Sequence, residues 1–222
     1  MRMLVVSPHM DDETFGAGGM MLKYAQAGEQ VYWLNISNTK TEYGYSEDLT
    51  NRREYQRNQV AEGLGVCEAI DLKWRPAWLA GYPESDAISD IGKIVQKIEP
   101  EVLVTTFPGD IHTDHEAVFR WIKAFSKSFR APKLKRFLLM EVISETDFSV
   151  GGGLASFTPN LFVNITQQME EKLRILSIYE GELGEHPFPR SLENVRAQAI
   201  SRGAVAGCRY AEAFMILREI EK

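Results

Sequence analysis

The feature that most constrains this chain is its alternation of short apolar runs with longer segments of helical period. Residues 3–7 are almost wholly apolar, the pattern of a strand covered on both faces. Residues 15–28 then carry apolar side chains at helical spacing and end on a glycine stop. The same logic predicts strands at 31–36, 68–72, 101–106, 137–142 and 210–217. It predicts helices at 51–64, 85–98, 114–125, 167–179 and 192–206. Residues 37–50 read as a polar surface loop, 74–82 as an aromatic, proline-containing loop, and Gly151–Gly153 as a glycine-rich loop. Such alternation implies a mainly parallel sheet with right-handed crossovers, flanked by helices. No repeat, low-complexity tract or linker divides the sequence, and 222 residues fit one core. The expectation is a single-domain, Rossmann-like α/β fold over residues 1–222.

Net charge decides against one large class of partner. The chain carries −6 with no Lys/Arg-rich run, which speaks against a nucleic-acid surface while leaving room for a local basic pocket. Cys67 and Cys208 are far apart and form no CxxC, so two free buried thiols in a reducing compartment are expected. The first apolar run is too short for a signal-peptide core. No stretch approaches the roughly 18 apolar residues that span a bilayer. A cytoplasmic protein without membrane insertion is expected.

The chemistry collects in two places. Of four histidines, three fall in two polar clusters that each follow an apolar strand. These are Ser-Pro-His-Met-Asp-Asp-Glu at residues 7–13 and Gly-Asp-Ile-His-Thr-Asp-His at 109–115. Ligands of open α/β sheets bind outside the carboxyl ends of strands where strand order reverses, so both clusters are predicted to meet across one crevice. His9, Asp12 and His115 would give a metal two imidazoles and one carboxylate, leaving an open position for water. Asp11 is then free to act as a general base. Each motif alone has a plainer reading: an Asp-Asp-Glu run is an ordinary helix N-terminus, and HxxH is often surface. Their coincidence at one sheet edge favours the functional reading.

At this point the sequence resembles the LmbE-like, or PIG-L, family of zinc-dependent deacetylases. The likeness rests on Pro8-His9-Met10-Asp11-Asp12-Glu13 and His112-Thr113-Asp114-His115, with Met10 and Thr113 where proline is usual or common. It extends through Gly16–Gly19, Arg53, Leu64-Gly65-Val66, Arg202-Gly203 and Tyr210-Ala211-Glu212-Ala213-Phe214. The resemblance implies that His9, Asp12 and His115 bind one Zn2+ and that Asp11 is the general base. It further implies that a protonated His112 stabilises the oxyanion or acts as an acid, with Asp114 as its charge partner. The implied reaction removes an N-acyl group, an acetyl, from an amino sugar or its conjugate, including a nucleotide-linked one. Relatives of this family are often oligomers, so a homo-oligomer fits.

Candidate substrate contacts are Arg53, Tyr45 and Arg190, each with a plainer reading as a solvated helix face or loop anchor. Tyr43, Trp74 and Trp78 carry the same choice between stacking on a sugar and covering the core. Gly16, Gly18 and Gly19 depart from GxGxxG and read as close helix–strand packing rather than a dinucleotide loop. Glu13 is divided evenly between supporting a ligand histidine and capping its helix. Two other readings stay open. One is a non-haem iron enzyme using the same two histidines and carboxylate. The other is a non-catalytic metal- or nucleotide-binding module.

Overall fold

The apolar runs become strands of one seven-stranded sheet in the computed structural model, which describes residues 1–150 and 156–221. They are β1 (Arg2–Ser7), β2 (Gln30–Ser37), β3 (Glu68–Trp74), β4 (Val102–Thr106), β5 (Arg136–Met140), β6 (Leu161–Asn164) and β7 (Ala211–Glu219). Their order across the sheet is β3-β2-β1-β4-β5-β7-β6. The first five are mutually parallel, and β7 runs antiparallel to both its neighbours. The chain steps outward from β1 to β3 and then returns to the other side of β1, so strand order reverses between β1 and β4. That is where an open α/β sheet splays a crevice.

Helices α1 (Asp12–Gln26), α2 (Glu47–Leu64), α5 (Met169–Leu176) and α6 (Leu192–Ala206) cover one face; α3 (Glu84–Ile98) and α4 (Thr113–Ile122) cover the other. Successive β1 side chains serve opposite cores, Met3 and Val5 on the first, Leu4 and Val6 on the second. This explains why the strand reads as unbroken apolar sequence. At about 1.5–3 kcal/mol for each fully buried aliphatic side chain, β1 firmly anchors the polar cluster at its carboxyl end.

Four expectations change. Helix α2 begins at Glu47, inside the predicted 37–50 loop, because the Ser46 hydroxyl accepts the Leu49 N–H at 3.2 Å and two acidic residues come next. Helix α1 begins at Asp12, so the Asp-Asp-Glu run is helix N-terminus and chemical cluster at once. Strand β6 lies outside the predicted set; four residues are too few for a pattern, and pairing with β7 (Leu161 opposite Phe214) creates it. Neither thiol is fully buried: Cys67 is exposed and Cys208 half-buried, both free. The Gly151–Gly153 loop lies outside the described residues. Among them, no helix is long and apolar enough to cross a membrane.

The glycines of α1 do pack closely. A Cβ on Gly19 would lie 2.7 Å from the Ile165 Cγ2 and 2.9 Å from its Cβ. Gly19→Ala should therefore destabilise the fold by about 1–2 kcal/mol. The overpacking costs about 1–3 kcal/mol, and up to about 1 kcal/mol of helix propensity offsets it. A urea melt with unchanged m-value checks this.

Candidate functional site

Both polar clusters leave the sheet at the reversal point. The first turns directly from β1 into α1. Asp11 caps that helix with φ 126°, a conformation costing a non-glycine residue about 1–3 kcal/mol. Its surroundings hold it there. The Asp11 N–H donates to the Glu13 carboxylate at 3.0 Å, and its carbonyl accepts from Thr14 and Phe15 at 3.0 and 2.9 Å. Its carboxylate accepts from Arg190 Nη1 at 2.8 Å. Glu13, which also accepts the Tyr179 hydroxyl at 2.8 Å, thus serves the helix cap rather than a histidine.

The second cluster opens α4, with His112 as the residue capping its N-terminus and Asp114 and His115 in its first turn. Across the crevice, Asp12 Oδ2 lies 3.3 Å from His9 Nδ1 and 3.2 Å from His115 Nε2. The ligand atoms of His9, Asp12 and His115 all fall within 4.8 Å of one another. Asp12 Oδ1 is buried with no hydrogen-bond partner among the described residues, while His115 Nε2 faces the Asp12 carboxylate. An unpaired buried polar atom costs about 1–3 kcal/mol, and a cation among these three side chains removes that cost. Two imidazoles and a carboxylate suit an ion such as zinc.

Each imidazole is backed by a carboxylate. His115 Nδ1 lies 2.8 Å from Asp110, which also accepts the Thr146 hydroxyl at 2.7 Å. His9 Nε2 lies 3.1 Å from Asp114, whose two oxygens also accept the Ala77 and Leu79 N–H groups at 2.7 and 2.9 Å. Such partners fix the tautomer and turn the other ring nitrogen towards the ligand position. Asp110 stood within the second motif but had no role in the sequence reading. Its signal was a carboxylate just ahead of a ligand-type histidine. Asp114 hydrogen-bonds His9, and its carboxylate also lies within 4.8 Å of a His112 ring nitrogen, where its charge favours the protonated ring.

His112 is tied into the same helix cap. Its Nδ1 accepts the Asp114 N–H at 3.1 Å, so the neutral ring carries its proton on Nε2. Burial, then the charges of His9 and His115, push its pKa below the usual value. This direction favours the neutral ring, whereas the resemblance implies an imidazolium.

The other groups shift in complementary directions. Burial opposes protonation of His9 and His115, but the Asp114 and Asp12 hydrogen bonds lift His9 to about 9, and Asp12 and Asp110 lift His115 to about 10. Burial would raise Asp12, but both histidines hold it well below the usual range. Asp11 goes the other way: burial and the charge of Asp12 push it well above the usual range, against the pull of Arg190. Two adjacent carboxylates driven apart is the arrangement that lets one ligate and its neighbour take a proton.

Above these groups lies a cleft of about 350 Å³ whose walls include Tyr45, Arg53, Glu182 and Arg190. Arg53 pairs with Glu182. Arg190 is tied to Asp11 and Glu145, each at 2.8 Å, and to Ser144 at 2.6 Å. Its guanidinium is thus bonded to the carboxylates around it, Asp11 among them, at the wall of the cleft. Glu182 escaped the sequence reading because nothing in its glycine- and glutamate-rich surroundings marks it.

The family model described as GlcNAc-PI de-N-acetylase (PIG-L) matches residues 4–126. The diacetylchitobiose deacetylase of Thermococcus kodakarensis is 28% identical over 220 residues, covering 95% of this chain and 81% of that protein. The conserved protein TT1542 from Thermus thermophilus has a similar structure, with TM-score 0.78 at 20% identity over 99% of this chain and 96% of that one. The 4-carboxy-2-hydroxymuconate hydratase GalB of Pseudomonas putida is similar too, with TM-score 0.72 at 16% identity, covering 100% of this chain and 98% of that one. The fold thus carries more than one chemistry, and the site must carry the argument for function.

Proposed function

Because the chain belongs to the GlcNAc-PI de-N-acetylase (PIG-L) family, we propose that it is a zinc-dependent hydrolase removing an N-acetyl group from an amino sugar or amino-sugar conjugate. The observation that carries this reading is the convergence of His9, Asp12 and His115 beside a separate, pKa-raised Asp11 at the floor of a cleft. The similar diacetylchitobiose deacetylase supports the substrate class.

Zinc held by His9, Asp12 and His115 would supply a Lewis acid that acidifies water and polarises the amide carbonyl. The residues around it divide the remaining work. Asp11, held by Arg190, accepts a proton as water oxygen adds to the carbonyl carbon. His112 donates from Nε2 to the carbonyl oxygen as negative charge grows there. The C–N bond then breaks, and the proton on Asp11 passes to the leaving nitrogen, giving acetate and a free amine. The neutral His112 favours Asp11 as that donor. Asp110 and Asp114 act through the imidazoles they hold.

Arg53 and Arg190 are both bonded to carboxylates, so neither is free to bind a phosphate in the cleft. This favours an uncharged sugar over a nucleotide-linked one. The test is acetate release by zinc-loaded protein across N-acetylglucosamine, its oligosaccharides and nucleotide-linked forms. Equal yields of acetate and free amine from at least one are expected. No acetate from any of them would overturn the reading.

A further inference from the structure

Beside the cleft lies a second concavity of about 330 Å³, lined by Tyr43, Arg75, Trp78, Gly81, Tyr82 and Pro83. The same two loops build both. After β2, Tyr43 faces this groove while Tyr45 lines the cleft; after β3, Pro76 and Ala77 line the cleft while Arg75 and Trp78 face the groove. The two concavities are therefore walled by neighbouring residues of the same two loops. We propose that the groove is a subsite for a second sugar ring of the substrate, stacked on Trp78. This inference rests on the amino-sugar reading above and extends it from the reacting unit to its neighbour.

Trp78 differs from the other loop aromatics. Trp74 is half-buried, stacked on Tyr82 at 4.6 Å and edge-on to Trp121 at 5.6 Å, which is core packing. Tyr43 anchors its loop through a hydroxyl bond to the Lys73 carbonyl at 3.1 Å. Trp78 is 59% exposed, yet its backbone is firmly held. Asp114 grips the N–H groups on either side of it, those of Ala77 and Leu79, while Leu79 is fully buried. The Trp78 carbonyl accepts the Gly81 N–H at 3.0 Å. Presenting a large aromatic to water on a rigid loop gives the core nothing, but it pre-organises a ligand-binding face.

The loop is also tied to the chemistry. The carboxylate that holds it is the one that orients His9, so the groove and the metal residues share one fixed frame. Charge selects the occupant. Arg75 is the cation among the groove's lining residues, and its guanidinium lies 5.2 Å from the Trp78 ring centroid. There it supports the indole. Lys40, over the Tyr43 ring at 5.3 Å, is paired with Glu42, so an aromatic wall whose cations lie over its own rings, next to a cleft whose arginines are paired, suits a neutral pyranose better than an anionic group.

Calorimetric binding to the zinc-loaded Asp11→Asn protein tests this without requiring turnover. N,N′-diacetylchitobiose is expected to bind about tenfold more tightly than N-acetylglucosamine, a difference lost in Asp11→Asn/Trp78→Ala and kept in Asp11→Asn/Trp78→Phe. Equal affinities for the two sugars, or an advantage that survives Trp78→Ala, would overturn the subsite. So would tighter binding of N-acetylglucosamine 1-phosphate that depends on Arg75, which would make the occupant anionic. If Trp78-dependent binding is found but no substrate is deacetylated by the wild type, the subsite stands and the hydrolase reading fails.

Discussion

Asparagine in place of Asp11 is expected to lower kcat by about 10²- to 10⁴-fold, the usual scale of a positioned general base, while zinc content stays at the wild-type level. The two shapes are nearly the same, and Asp11 is not among the three converging ligand residues, so the metal site should persist. What disappears is a carboxylate facing the cleft beside that site, with a pKa well above the usual range. A change in kcat with little change in KM would separate proton transfer from substrate binding. Full activity in a zinc-replete variant would remove Asp11 from the mechanism. The pH profile supplies a second check. Asp11 works as a carboxylate, so activity falls on the acid side as it becomes protonated. Arg190 favours the charged form, and Arg190→Gln should move that acid limb to higher pH. A limb that stays put, or moves down, would mean that Arg190 does not tune this base.

The roles of Arg190 and Asp11 also mark where sequence reading reaches its limit. Strand β1, the ligands after it and the partner motif after β4 were legible because each is local: an apolar run, then polar residues at short spacing. The sheet-edge rule joined the two segments, since parallel strands place their carboxyl ends together. What stayed hidden depends on long-range geometry. Arg190 is 179 residues from Asp11, and only the fold reveals that its guanidinium is already spent on carboxylates. The resemblance makes Asp114 the partner of His112; the further hydrogen bond of Asp114 to His9 depends on how α4 faces the turn after β1, which spacing does not show. Strand β6 exists through its pairing with β7, and four residues leave no periodicity to read. The start of α2 is a different failure: the Ser46 cap was legible, but the polar and aromatic residues before it suggested a loop.

Chelation is expected to abolish turnover and added zinc to restore it, with a dependence on pH that identifies the ligands. Without metal, His9 and His115 titrate at about 9 and 10 against an ordinary value near 6.5, so both rings are protonated at neutral pH and balance Asp12 and its neighbours. The stability that these raised pKa values contribute to the metal-free protein is fully present below about 6.5 and is lost as pH rises through about 9 to 10. Zinc requires both rings neutral and must displace those protons, so its affinity should rise by up to about tenfold per pH unit for each proton released. Between about pH 6.5 and 9 the chelated protein should therefore lose thermal stability while the stabilisation by a fixed free zinc concentration grows. Melting temperatures with chelator and with buffered zinc, taken across that range, measure both trends. His115→Gln should weaken zinc binding and remove one displaced proton from its pH dependence. A zinc shift of constant size at every pH would mean that the ion binds elsewhere than at His9, Asp12 and His115.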